Sequence, residues 1–188
     1  MSIKTALSVI NFDTRWSTYR RPYSLRVPRM WRQWLCDRGS LTKHLITASD
    51  NQFRVEVQRQ DWFLPSRCEA KALGIKTRQM ALIREVKLIG KDQTLVFART
   101  VIPASTLTGR QKQLATLGNT SLGSLLFKDP SMRRGKLQIS RLNLSSTEQV
   151  WARRSIFFLS GKPLLVCEVF LPPLAAVDYR PSPLPNKK

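Results

Sequence analysis

One acidic residue interrupts an apolar segment near the C-terminus of the chain. Between Pro163 and Pro172 the sequence reads P-L-L-V-C-E-V-F-L-P, and Glu168 is its only charged residue. Removing a carboxylate from water is costly unless a partner compensates its charge. The pattern therefore predicts a partner for Glu168, which is an arginine, a hydroxyl or a ligand, and it makes Glu168 a candidate site residue.

Arginines interrupt apolar strand patterns in a similar way. Arg84 lies in A-L-I-R-E-V and Arg99 in V-F-A-R-T-V, while Arg153 and Arg154 precede S-I-F-F-L. A guanidinium group binds a carboxylate through two parallel hydrogen bonds. An arginine and a glutamate that face one apolar pocket would suit a flat molecule with an acid at one end and a hydroxyl at the other. Two simpler interpretations stay open: an Arg84–Glu168 ion pair without a ligand, and a core glutamate satisfied by a structural arginine.

Several common catalytic and cofactor-binding motifs are absent from the sequence. His44 is the only histidine, and neither a zinc-binding H-E-x-x-H nor a glycine-rich phosphate-binding loop occurs. The three cysteines, at positions 36, 68 and 167, form no C-x-x-C pair. We therefore expect no metal, no cofactor and no disulfide framework, and the cysteine usage is typical of a reducing cytoplasm.

The chain is strongly basic. It carries 32 Lys and Arg against 12 Asp and Glu, a formal net charge of +20. Such a charge favours anionic partners, which include nucleic acid, anionic lipid and small acidic substrates. No apolar run approaches the roughly 20 residues that span a bilayer, and no signal-peptide pattern precedes the first helix. The sequence therefore predicts no transmembrane segment.

The order of the predicted elements indicates an α+β domain with a single antiparallel sheet of about six strands. The predicted strands cover residues 53–59, 79–89, 95–103, 137–144, 151–159 and 163–171. We expect helices after Pro28, Ser40 and Thr108, and a helical turn at L-G-S-L-L-F. The predicted organisation is a basic N-terminal arm (1–24), one domain (25–173) and a proline-rich tail (174–188) that we expect to be disordered.

Three segments of the chain form a distinctive set. They are A-R-T-V-I-P-A-S-T-L-T-G (98–109), L-G-N-T-S-L-G-S-L-L-F (117–127) and W-A-R-R-S-I-F-F-L-S-G-K-P-L-L-V-C-E-V-F-L-P (151–172). Together they resemble the chorismate pyruvate-lyases, bacterial enzymes of ubiquinone biosynthesis. The resemblance extends from about Met30 to Pro172. It implies conversion of chorismate to 4-hydroxybenzoate and pyruvate without cofactor or metal. It also implies a monomer with a six-stranded sheet and an internal cavity under helical flaps.

The same resemblance assigns roles to individual residues. Arg84, in the motif I-R-E, would bind the carboxylate of the product, and Glu168 would bind its phenol. Main-chain donors would come from T-S-L-G and S-L-T-K, which contain Leu122 and Leu41. Leu41 stands where the family has Met, so only a backbone contact carries over. The arginine that would meet the enolpyruvyl carboxylate is left open among Arg99, Arg153 and Arg154.

Two other classes of function compete with this one. A non-catalytic domain that binds small aromatic acids, like the effector domains of transcription regulators, would share the pocket. It normally adjoins a helix-turn-helix domain, which we expect not to fit before Pro28. A nucleic-acid-binding protein would explain the charge, but the arginines are spread over several strands and match no recognised module. We therefore expect no sequence-specific nucleic acid binding.

Overall fold

Six long strands form one antiparallel sheet in the computed structural model, which describes residues 10–19 and 27–177. They are β2 (Phe53–Phe63), β3 (Ala81–Gly90), β4 (Gln93–Pro103), β6 (Gln138–Asn143), β7 (Gln149–Leu159) and β8 (Lys162–Phe170). Two strands of two residues each, β1 (Ser17–Thr18) and β5 (Arg133–Arg134), pair with β6 and β7. The strand order is β1-β6-β7-β8-β4-β3-β2. The predicted α+β fold with about six strands is confirmed.

Short helices connect the strands. They are α1 (Arg29–Leu35), α2 (Leu41–Ala48), α3 (Arg67–Leu73) and α4 (Leu122–Leu126), with 3-10 helices at Gly109–Thr116 and Pro172–Ala176. Helix α3 is absent from the helices predicted from the sequence, although its start carries a recognisable pattern. Ser66 and Glu69 form a capping box, and Gly74 ends the helix with φ of 68°.

Alternation along the strands gives the sheet two different faces. One face packs against α1 and α2, where Trp34, Leu35 and Leu45 are buried with Val86 and Leu88 of β3. The other face is covered in part by the N-terminal segment, whose residues Ile10 and Phe12 pack with strand residues from β4, β6, β7 and β8. Side chains of odd and even number on one strand therefore enter different environments.

The ends of the described chain lie against this sheet. Residues 10–19 belong to the predicted arm, yet Ile10 and Phe12 are buried and β1 is paired. The predicted start of the tail, residue 174, falls inside a 3-10 helix, where Leu174 is fully buried. The rest of the predicted arm and tail lies outside the described residues. Among those that are described, no helix is long and apolar enough to cross a membrane.

Candidate active site

A cavity lies between the helices α2 and α4 and the face of the sheet that also packs against α1. Most of its wall is apolar, from residues such as Val86, Leu126 and Val166. The charged side chains that line it are Arg84, Arg134, Arg153 and Glu168. Three arginines and one glutamate give the lining a net charge of +2, so the cavity suits an anion.

Arg84 is a buried cation that has no acidic partner among the described residues. It extends from β3 and is 2% exposed. Its Nη1 donates to Gln60 Oε1 (3.0 Å) and to the carbonyl of Gly118 (2.8 Å), and its Nη2 donates to the carbonyl of Thr120 (3.0 Å). Burial lowers the pKa of Arg84. Within the described part of the chain no carboxylate pairs with it, and Nε and one Nη2 hydrogen remain for a ligand.

Glu168 extends from β8 and lies opposite Arg153 of β7 in the strand register. Its Oε2 accepts a hydrogen bond from Arg153 Nε at 2.5 Å. Arg153 Nη1 also donates to the carbonyls of Trp34 (2.6 Å) and Asp37 (2.7 Å), so it is anchored to the end of α1. Oε1 of Glu168 accepts no hydrogen bond from the described residues, so this carboxylate, 16% exposed, retains one oxygen for a ligand.

The structure decides between the two simpler interpretations of Glu168. The Arg84–Glu168 ion pair does not form. Arg84 on β3 and Glu168 on β8 are separated by β4, and their positions differ by two residues along the strand direction on the same face. This corresponds to a Cα separation of about 12 Å. Glu168 is instead paired with Arg153, as a core glutamate with an arginine partner would be. The pairing is incomplete, however, because both Glu168 and Arg84 keep free hydrogen-bonding groups and both line the cavity.

Two helices begin at the cavity, at the leucines that the sequence analysis selected. Leu41 is the first residue of α2 and Leu122 is the first residue of α4, and both line the cavity. The preceding residues, Ser40 and Ser121, each accept a hydrogen bond from the amide three residues later, at 3.3 and 3.4 Å. The first amides of a helix have no intrahelical acceptor. Those of Leu41 and Leu122 accordingly have no partner among the described residues and are available to a ligand.

The starts of α2 and α4 touch directly. Thr42 Oγ1 lies 2.6 Å from Ser121 Oγ, a buried hydrogen bond between the two helices. The approach requires a glycine at position 123, because a Cβ there would lie 2.6 Å from Thr42 Oγ1. The two helices therefore cover the cavity together, as the predicted helical flaps would.

Arg99 does not reach the cavity. It follows Ala98 and precedes Thr100, which line the cavity, so it extends to the opposite face of the sheet. There Nε and Nη2 donate to Glu69 (2.8 and 3.1 Å) and Nη1 donates to Glu85 (2.5 Å). Although burial acts to lower the pKa of Arg99, the two carboxylates raise it. The cation is fully compensated there.

Arg154 is also on the opposite face. Its Nε donates to Gln138 Oε1 (2.8 Å), its Nη1 contacts Cys68 Sγ (3.2 Å), and its guanidinium lies 4.5 Å from the ring centre of Trp16. Of the three arginines left open by the sequence, only Arg153 lines the cavity, and it is the partner of Glu168.

Arg134 lines the cavity although it is not among the site residues predicted from the sequence. This residue lies on β5 and lines the cavity beside Phe157. Its segment, S-M-R-R-G-K, has no apolar alternation and no motif, so no local signal separated Arg134 from surface arginines. The described lining residues include one carboxylate and no histidine or cysteine. The same ranges contain no group of three or more His, Cys, Asp or Glu that could hold a metal.

Comparison with known proteins identifies the family. The family model described as chorismate lyase matches residues 14–177. A probable chorismate pyruvate-lyase from Methylococcus capsulatus is 39% identical over 155 residues, which cover 77% of this chain and 96% of the relative. Another from Psychromonas ingrahamii is 40% identical over 152 residues, which cover 74% and 81% of the two chains. The chain belongs to the chorismate lyase family.

Solved structures with similar folds are much more distant in sequence. A GntR-family transcriptional regulator from Bacillus cereus has a TM-score of 0.50 at 12% identity, over 71% of this chain and 99% of that one. The C-terminal domain of a histidine utilization repressor from Pseudomonas syringae has the same TM-score and identity, over 70% and 99%. At this identity the similarity establishes the fold alone.

Proposed function

We propose that this chain is a chorismate pyruvate-lyase, which converts chorismate to 4-hydroxybenzoate and pyruvate as a step towards ubiquinone. One observation carries the proposal. Within the described ranges, the cavity has a buried guanidinium at Arg84 with no carboxylate partner, a carboxylate oxygen at Glu168 with no hydrogen bond, and a lining of net charge +2. Chorismate carries two carboxylates, so its charge matches that of the lining. Membership of the chorismate lyase family supports the same conclusion.

Two ends of the substrate ring are recognised in this proposal. Arg84 binds the ring carboxylate through Nε and Nη2, which its protein partners leave available. Glu168 Oε1 accepts a hydrogen bond from the C4 hydroxyl, which lies para to that carboxylate. The amides of Leu41 and Leu122 supply neutral donors at the helix starts. Arg153 does not bind the ring but fixes the orientation of the Glu168 carboxylate.

The reaction requires that the substrate ring be held in position and that the proton on C4 be removed. The proton on C4 is lost, the electrons of its C–H bond form the new ring double bond, and the C3–O bond breaks with its electron pair on the leaving oxygen. The enolpyruvate that leaves takes up a proton on its methylene carbon and becomes pyruvate. Aromatisation of the ring supplies the driving force, so a closed cavity that holds the ring in a reactive conformer accounts for much of the catalysis. Glu168, as the one carboxylate among the described lining residues, is our candidate base.

The remaining expectations belong to the same proposal. We expect the enzyme to act as a monomer in the cytoplasm and to need neither metal nor cofactor. Its three cysteines are free, which suits a reducing compartment. The positive charge of the chain is assigned to attraction of a small anion, without sequence-specific binding of nucleic acid.

Purified protein incubated with chorismate tests the proposal. We expect 4-hydroxybenzoate and pyruvate to form in equal amounts, at a rate unchanged when EDTA is present. Loss of activity in EDTA that a metal ion restores would contradict the mechanism. The same assay distinguishes this function from a second candidate, an effector-type domain that binds an aromatic acid. The fold similarity to GntR-family regulators favours that second candidate. Such a domain would bind 4-hydroxybenzoate without turning chorismate over.

A further inference from the structure

Arg134 is a second cavity-lining cation, and in the described part of the chain it has no carboxylate partner. β5 pairs with β7, with Arg134 opposite Phe157. Nε of Arg134 donates to Ser155 Oγ (3.1 Å) and Nη1 donates to the carbonyl of Arg38 (3.1 Å). Its guanidinium carbon lies 5.1 Å from the ring centre of Phe157. Within the described residues no ion pair compensates its charge, and both hydrogens on Nη2 are free to bind a ligand.

The position of β5 depends on the residue that follows it. The amide of Gly135 donates to the carbonyl of Ile156 at 2.8 Å, and a Cβ at position 135 would lie 3.2 Å from that same oxygen. Glycine therefore allows β5 to lie close against β7. Arg134 is thereby held by main-chain pairing as well as by its own hydrogen bonds, which is the rigidity that a binding residue needs.

Arg134 lies at the Glu168 end of the cavity, because its Nη1 binds the carbonyl of Arg38, next to the Asp37 carbonyl that Arg153 binds. Burial, and then the positive charge of Arg153, lower the pKa of Arg134 to about 10, while Glu168 acts in the opposite direction. Arg134 is thus charged at neutral pH and close enough to both residues to be affected by them. A partly buried cation with no carboxylate in direct contact among the described residues is costly, and a bound anion would offset that cost.

The chemistry of chorismate requires a partner at this end. Its hydroxyl and its enolpyruvyl ether are on neighbouring ring carbons, C4 and C3, and its ring carboxylate is on the opposite side at C1. If Arg84 holds the ring carboxylate and Glu168 the hydroxyl, the enolpyruvyl carboxylate lies near Glu168. Arg153 is already committed to Glu168 and to two main-chain carbonyls. Arg134 is the remaining cation among the lining residues that the structure describes.

We propose that Arg134 binds the enolpyruvyl carboxylate of the substrate and so distinguishes the dianionic substrate from the monoanionic product. This inference rests on the proposed function and adds one binding residue to it. The contact orients the leaving group and places a positive charge near the oxygen on which negative charge develops. After the C3–O bond breaks, the product keeps its contacts with Arg84 and Glu168 and makes none with Arg134.

Arg134→Met tests this role, because methionine can still pack against Phe157 without charge. Arg133→Met is the matched control, since Arg133 is the exposed neighbour on the same short strand. We expect Arg134→Met to lower kcat/KM for chorismate about 10- to 150-fold, the range for hydrogen bonds to a charged group. The dissociation constant for 4-hydroxybenzoate should change less than about twofold, because the product lacks the second carboxylate. Arg133→Met should change neither quantity.

The possible outcomes separate the claims. If Arg134→Met lowers kcat/KM for chorismate and the affinity for 4-hydroxybenzoate by the same factor, Arg134 shapes the whole cavity and does not bind the second carboxylate. That result would overturn the inference. Unchanged kcat/KM in a folded Arg134→Met variant would also overturn it. If that variant fails to fold, Arg134→Lys decides, with partial retention of kcat/KM and normal product affinity expected. Absence of turnover by the wild-type protein would instead refute the proposed function, and this inference with it.

Discussion

Replacement of Arg84 gives the most informative perturbation of the site. Three of its five N–H donors bind neutral oxygens of the protein, so the guanidinium charge itself is not compensated within the described residues. Truncation of one partner of a buried, hydrogen-bonded charge pair costs about 2–5 kcal/mol in binding. Arg84→Met should therefore raise the dissociation constant of 4-hydroxybenzoate about 30- to 4000-fold. Arg84→Lys should lose less, because lysine keeps the charge but not the planar fork.

A second ligand turns this prediction into a double-mutant cycle. 4-Hydroxybenzamide has the shape of the product but no carboxylate, so the wild-type protein should bind it much more weakly than 4-hydroxybenzoate. Arg84→Met should bind the two ligands almost equally, since the group that distinguishes them is gone. Titration calorimetry supplies the four constants, and thermal unfolding without ligand checks that the variant is folded. A folded Arg84→Met variant that still prefers the carboxylate by the wild-type factor would refute the role of Arg84.

Three further predictions concern other charges in the molecule. Glu168→Gln should lower kcat/KM and also destabilise the fold by about 1.5–3 kcal/mol, because Arg153, 1% exposed, loses its counter-charge. Initial rates measure the first effect and denaturant unfolding the second, and full activity of the variant would mean that Glu168 is purely structural. Burial raises the pKa of the Cys167 thiol, so its contribution to stability is complete below about pH 8.5 and declines as the pH rises above it. Urea unfolding from pH 8 to 10 should show the wild-type protein losing up to about 1.4 kcal/mol per pH unit more than Cys167→Ala, and identical slopes would contradict this. Raising the salt concentration should lower kcat/KM for chorismate and leave kcat nearly unchanged, because the net charge of +20 affects the rate at which substrate and enzyme associate. An equal fall in kcat would mean that salt affects the chemical step.

The fold could be predicted further than the site. Each of the six long strands coincides with an apolar or alternating run of residues, so the hydrophobic periodicity of the sequence located all six. Periodicity also singled out Glu168 and Arg84, because a charge inside an apolar strand is conspicuous. It could not assign partners: Arg153 and Arg154 look alike in the sequence, and only the register with β8 decides which of them faces Glu168.

Arg134 was beyond sequence reasoning for a different physical reason. Its strand is two residues long, and its burial comes from contacts with a strand about twenty residues further along the chain. The residues around Arg134 in the sequence give no signal of such a long-range contact. Helix α3 is a contrasting case, since its capping box and terminal glycine were present in the sequence and could have been recognised.

A crystal structure of the protein with 4-hydroxybenzoate bound tests the central claim most directly. The account predicts the ligand in the cavity under α2 and α4, with its carboxylate on Nε and Nη2 of Arg84 and its phenol oxygen on Oε1 of Glu168. Arg134 should make no contact with the product. A ligand bound in the reverse orientation, with its carboxylate on Arg134, or a ligand bound outside this cavity, would contradict the account.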